Sequence, residues 1–137
     1  MKTIVLGYDD SESAKRALRR VAQLADAFDA YVIAVSAAPA LVGAAHGIGP
    51  IDPADPPELH REELGRAKAV LDELTIPADY QVGLGDPADA ILAAAEREHA
   101  DLIVVGTEEP GVVSRLLGLS ISENVQRRAH CDVLIVH

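Results

Sequence analysis

Residues 3–36 read TIVLGYDDSESAKRALRRVAQLADAFDAYVIAVS. The stretch opens with a short apolar, β-branched run, Thr3–Tyr8, and passes into Asp9-Asp10-Ser11, a turn that doubles as a helix cap. From Ser13 onward Ala14, Ala17, Leu18, Val21, Leu24, Ala25 and Phe28 recur at helical spacing and predict one buried stripe. Tyr31–Ser36 is apolar and β-branched again, a second strand. Strand, helix and strand within about 36 residues make a βαβ unit, which pairs its strands in parallel.

The rest of the sequence extends that unit. Ala37 to Pro57 holds five of the eight prolines and three glycines, too broken for a long helix or a central strand. A loop of about 20 residues in a compact domain usually serves as a lid, a cover or a flexible segment. Pro57 opens a second helix with Leu64, Ala67, Leu71 and Leu74 as its stripe. Tyr80, Val82 and Leu84 alternate with Gln81 and Gly83, the pattern of an edge strand with one exposed face. Asp86-Pro87 caps and starts a third helix, with Ala88, Ile91, Leu92 and Ala95 inward. Leu102–Val105 is apolar on both faces and belongs in mid-sheet. After a loop from Gly106, a last helix near Ser120–His130 leads to Val133–Val136, the final strand. The expected fold is α/β, an open, doubly wound, five-stranded parallel sheet with helices on both faces. One domain over residues 1–137 accommodates it, with no internal repeat.

Composition limits the function. Hydrophobic residues make up 49% and charged residues 25%, a globular balance. Cys131 is the single cysteine, so neither an internal disulfide nor a cysteine zinc cluster is available; it reads as a small buried hydrophobe. No apolar run approaches the roughly 18 residues of a membrane span, and Met1 leads straight into a folded pattern with no signal peptide, so a cytoplasmic protein is expected. Twenty-two acids against twelve bases give a formal charge of −10, which repels nucleic acid and anionic lipid. Only three bases are lysines while twelve acids are aspartates, and aromatics are 3%, a composition that leans toward a halophilic protein. Molar salt shortens the screening length to about 3 Å, so such self-repulsion is tolerable there.

Ligands of doubly wound sheets bind outside the carboxyl ends of the strands, where the strand order reverses. Asp9, Ser36-Ala37, Gly83, Gly85 and Gly106-Thr107 fall at those ends. The five histidines are scattered and no two have metal-ligand spacing; His60 with Glu63 one turn on reads as a surface pair. There is no Gly-x-Ser-x-Gly elbow, no Walker A sequence, and no serine–histidine pair that the element order is expected to bring together. Binding rather than efficient turnover is expected, with no catalytic residue and no metal site assigned.

Four segments, IVLGYDDSESAKRAL (4–18), GDPADAIL (85–92), ADLIVVGT (100–107) and SISENVQRRAHCDVLIVH (120–137), resemble the universal stress proteins of the UspA type in order and spacing. The resemblance implies an adenine-nucleotide-hydrolase-like sheet, a homodimer, a role in stress response and, in one branch, ATP at the switch point. That branch carries Gly-x-x-Gly, nine residues, then Gly-Ser or Gly-Thr, whose amides nest phosphate and whose hydroxyl residue opens a helix. Gly106 matches the first glycine and Ser120 the hydroxyl, but Glu109 and Leu119 stand where the other glycines belong, with Gly118 one place early. Glu108 and Glu109 also bring two carboxylates toward any triphosphate. At about 5 Å and an effective dielectric of about 20, one like-charge pair costs roughly 3 kcal/mol, about a hundredfold in affinity. Pro110 removes an amide donor as well. The phosphate loop therefore reads as degraded.

The adenosine half is better kept. The resemblance implies nucleoside contact at Asp9, adenine contact at Ser36 or, one place on, Ala37, and flanking apolar positions at Val105 and Ile121. Each residue also has a plain local role: Asp9 in the first turn, Gly106 at a tight strand exit, Ser120 as a helix cap, Ser36 as a strand end. Three functions stay open: a regulatory module with weak or no nucleotide affinity, a binder of ATP or AMP (with Mg) with slow or no hydrolysis, and an unrelated flavodoxin-like module. Val133, Leu134, Ile135 and Val136 are expected to pair with a second copy if their strand is an edge.

Overall fold

The computed structural model describes residues 1–38, 57–107 and 120–137. Its elements run β1 (Thr3–Gly7), α1 (Glu12–Phe28), β2 (Tyr31–Ala38), α2 (Pro57–Glu73), β3 (Ala78–Leu84), α3 (Pro87–Arg97), β4 (Leu102–Gly106), α4 (Ile121–Arg128) and β5 (Asp132–Val136). The strands form one parallel sheet in the order β3-β2-β1-β4-β5. The chain winds outward from β1 to β2 and β3, then returns to place β4 on the other side, so the order reverses between β1 and β4.

Pleat parity sorts the core. Ile4, Leu6, Tyr8, Val32, Ala34 and Val104 face α1 and α2, while Val5, Ile33, Val35, Ile103 and Val105 face α3 and α4. Both faces of β1 and β4 are thus covered, as their unbroken apolar runs require. β3 and β5 are the edges, and the β5 residues Val133–Val136 remain half-buried.

Glycines let the layers approach. A Cβ on Gly106 would lie 2.6 Å from the carbonyl carbon of Ser13 and 2.7 Å from its oxygen, so the first turn of α1 rests directly on the end of β4. Backbone does not yield as a side-chain tip would, so only glycine fits.

Four expectations need correction. Phe28 and Leu74 do not join the buried stripes: they are 53% and 52% exposed. Phe28 is the last residue of α1, next to the left-handed cap Asp29. Leu74 lies past the end of α2, and Ile76 fills the core in its place. Cys131 is only partly buried. His60 is no surface residue; it is 6% exposed. Most of the irregular stretch between Ala37 and Pro57, and Glu108, Glu109, Pro110, Gly118 and Leu119, lie outside the described residues.

Candidate functional site

The strand ends at the reversal carry most of the residues singled out in the sequence. Asp9 follows β1, its carboxylate exposed; one oxygen accepts the Ser11 N–H at 3.0 Å and braces the turn. Its second oxygen has no partner among the described residues. Ser11, not Asp9, is the cap of α1, its hydroxyl accepting the Ala14 N–H at 3.1 Å. Val105 is buried, and Gly106 ends β4 against Ser13. Ser120 caps α4 by accepting the Glu123 N–H at 3.1 Å, and Ile121 is the first helical residue.

Ladder parity separates Ser36 from Ala37. The last bond between β1 and β2 runs from the Tyr8 N–H to the Val35 carbonyl, while Val32 donates the other way, to Pro77 before β3. Odd-numbered peptides of β2 therefore face β1 and even-numbered ones face β3. Ala37 lies beyond that last bond, so its N–H and C=O point into the space past β1. The Ser36 peptide faces β3, and its side chain enters the opposite core.

There Ser36 meets the histidine that the element order was not expected to bring to it. α2 packs against β2 and sets His60 Nδ1 2.5 Å from Ser36 Oγ. Glu63 Oε2 lies 3.3 Å from the same nitrogen and 3.4 Å from the hydroxyl. A nucleophilic triad uses both ring nitrogens, one for the hydroxyl and one for the carboxylate. Here both partners crowd Nδ1, and Ser36 is 2% exposed, so the arrangement cannot present an attacking oxygen. One signal was available in the sequence: His60 is in register with Leu64, Ala67 and Leu71, extending the buried stripe by a turn.

A second link ties α2 to the end of β1. Asp10, in the left-handed region at φ 62°, accepts the Tyr8 hydroxyl at 2.8 Å and the Arg66 Nε–H at 2.8 Å. Burial holds the Tyr8 phenol well above its ordinary range, and the Asp10 carboxylate adds to the effect, so it remains a neutral donor.

A cleft of about 1030 Å³ opens between α3 and α4 at the opposite, amino end of the strands, lined by Leu92, Glu96, His99, Arg127, His130 and Cys131 among others. None of the residues assigned from sequence line it. Burial raises the Cys131 thiol above its usual range, with Asp132 adding, which keeps it protonated. Among the described residues no group of three or more histidine, cysteine or carboxylate side chains could hold a metal ion, and no helix is long and apolar enough to cross a membrane.

Comparison with known proteins converges. The family described as "Universal stress protein family" matches residues 1–137. A universal stress protein of Thermus aquaticus is 38% identical over 138 residues, covering 98% of each chain. One from Mycobacterium tuberculosis is 36% identical, covering 99% of this chain and 96% of its own. Among solved structures, a universal stress protein in complex with cAMP is 33% identical at a TM-score of 0.71, covering 99% of this chain and 96% of its own. One from Archaeoglobus fulgidus, in complex with dAMP, shares the fold at a TM-score of 0.76 with 22% identity, covering 100% and 98%.

Proposed function

The chain belongs to the universal stress protein family, and from that premise we propose that it is a regulatory module binding an adenine nucleotide where the strand order reverses. The observation that carries the reading is the meeting there of the exposed Asp9, the Ala37 N–H and C=O, which lie beyond the last β1–β2 bond and have no partner among the described residues, and Gly106 at the end of β4. An adenine edge pairs a donor amino group with an acceptor ring nitrogen, which a peptide C=O and N–H complement. The Ala37 peptide supplies that pair, Val105 and Ile121 supply apolar surface, and Asp9 accepts from the ribose. The starts of α1 and α4, on either side of Gly106, favour negative charge.

The likeness to a protein solved with cAMP supports a nucleotide with one phosphate. So does the loop sequence. Glu108 and Glu109 work against the charge of ATP far more than against that of AMP or cAMP. ATP with Mg2+ is the weaker ligand in this reading, and regulation rather than hydrolysis is the output.

Calorimetric titration of the protein with AMP, cAMP and Mg·ATP tests this. Micromolar binding of a monophosphate, with ATP weaker, is expected; absence of heat with all three refutes it. Asp9→Ala weakens binding, and Glu109→Gly narrows the gap between AMP and ATP.

The module acts in the cytoplasm as a homodimer joined along β5. That strand has an open edge, and Val133, Leu134, Ile135 and Val136 stay half-exposed, a surface that a second β5 covers. Sedimentation gives a dimer that Ile135→Asp dissociates; a monomeric wild type contradicts the assignment. The acidic, lysine-poor surface suits molar salt, so the unfolding midpoint rises from dilute buffer to molar KCl.

A further inference from the structure

The Ser36–His60–Glu63 cluster has no part in the reading above, yet it lies one residue from the peptide that reading relies on. We infer that His60 is a positioning residue: through its hydrogen bond to Ser36 it fixes the Ala37 peptide and thereby sets adenine-nucleotide affinity. The inference rests on the nucleotide reading and names a residue of that site beyond the strand ends.

Beyond the Tyr8–Val35 bond, β2 is held by the sheet on one side only, through β3. A strand end paired on one side twists more freely than one paired on both. The Ser36–His60 bond is a further restraint at that point, and it is rigid because both side chains are buried, at 2% and 6% exposure. Ser36 and Ala37 share a peptide unit, so rotation at Ser36 swings the N–H of Ala37 directly.

Proton bookkeeping defines the bond. Nδ1 lies 2.5 Å from Ser36 Oγ and 3.3 Å from the Glu63 carboxylate, and the Nδ1–H tautomer is the one that suits both neighbours. The chain then runs Nδ1–H to Ser36 Oγ, and Ser36 O–H to Glu63 Oε2 at 3.4 Å. Arg66, two turns along α2 from His60, fastens the same helix to Asp10. α2 is thus tied to the ends of both β1 and β2, the two strands between which Ala37 opens.

The test exploits geometry rather than loss of a side chain. An asparagine amide can place its N–H near Nδ1, whereas the longer glutamine reaches toward Nε2 instead. cAMP and AMP affinities are measured for wild type, Ser36→Ala, His60→Gln, His60→Asn and the Ser36→Ala/His60→Gln double variant, each beside its unfolding midpoint. Ser36→Ala and His60→Gln are expected to weaken binding about tenfold, the equivalent of one hydrogen bond. The double variant falls no further, because both remove one link. His60→Asn stays within about threefold of wild type. Folded Ser36→Ala and His60→Gln proteins that bind like wild type overturn the inference while leaving the nucleotide reading intact. Equal loss in His60→Asn and His60→Gln, tracking the midpoints, also overturns it by showing a purely structural role. A wild type that binds neither nucleotide removes the nucleotide reading, and this inference with it.

Discussion

α1 and α4 start on either side of the point where the strand order reverses, and their first turns are built alike. Each begins on a serine that accepts the N–H three residues on, Ser11 from Ala14 and Ser120 from Glu123, both at 3.1 Å. Each carries a second, buried serine two places later, Ser13 and Ser122, with the hydroxyl pair 3.2 Å apart. They differ in what surrounds the cap. The first turn of α1 is pressed onto Gly106 and entered through a turn held by Asp9, Asp10, Tyr8 and Arg66. α4 is tied through its last turn instead, where the Arg128 Nη1–H donates to Asp89 Oδ1 of α3 at 2.7 Å. The same cap thus opens two helices that, among the described residues, are fastened at different ends, α1 at its first turn and α4 at its last.

The largest effect is expected where that lock is tightest. Gly106→Ala drives a methyl into the Ser13 backbone and should cost about 2–3 kcal/mol, lowering the unfolding midpoint by roughly 10 °C. A variant as stable as wild type would mean that α1 is not wedged at all. Next come the caps themselves. Ser11→Ala and Ser120→Ala should each cost about 1 kcal/mol in chemical denaturation. Matching losses uphold the likeness of the two starts, whereas a silent Ser120→Ala breaks it. Arg66→Ala, which cuts the exposed pair with Asp10, should cost no more than about 0.5–1 kcal/mol. That variant sharpens the comparison by showing how much of the α1 lock is steric.

The smallest effect lies at the opposite, amino end of the central strands. The Asp101 carboxylate accepts the Lys2 and Thr3 N–H groups at 2.8 and 3.0 Å, and these bonds hold its pKa below the usual carboxylate range. A carboxyl with a depressed folded pKa stabilises above its unfolded value, about 3.9, and loses that contribution as pH falls through the folded value. Asp101→Asn should therefore shallow the acid limb of the stability profile and leave its shape above pH 5 unchanged. An unaltered acid limb would rule out this linkage.

The fold was legible because its signals are local. β-Branched runs, the caps at Ser11, Asp86 and Ser120, and Pro87 at a helix start each announce an element within a few residues. The parallel sheet followed from the strand–helix alternation and the resemblance, and the edge place of β3 and the central place of β4 from their apolar patterns; the full strand order came only with the structure. The placement of the candidate residues was legible where it follows from element boundaries: Asp9, Val105 and Gly106 at strand ends and Ser120 at a helix cap. It was not legible where side chains far apart in sequence meet. Ser36 and His60 are separated by 24 residues, and Asp10 and Arg66 by 56. No local periodicity reports such pairs. The choice between Ser36 and Ala37 also needed the sheet, because the last bond to β1 decides which peptide is left open.

The central claim, that an adenine nucleotide sits at the strand reversal, is tested most directly by mapping backbone amide shifts on addition of AMP. The account predicts the largest changes at Tyr8–Ser13, Ala37, Gly106-Thr107 and Ser120–Ser122, with the α3–α4 cleft residues His99 and Cys131 unmoved. Changes centred on that cleft, or none at saturating AMP, would contradict it.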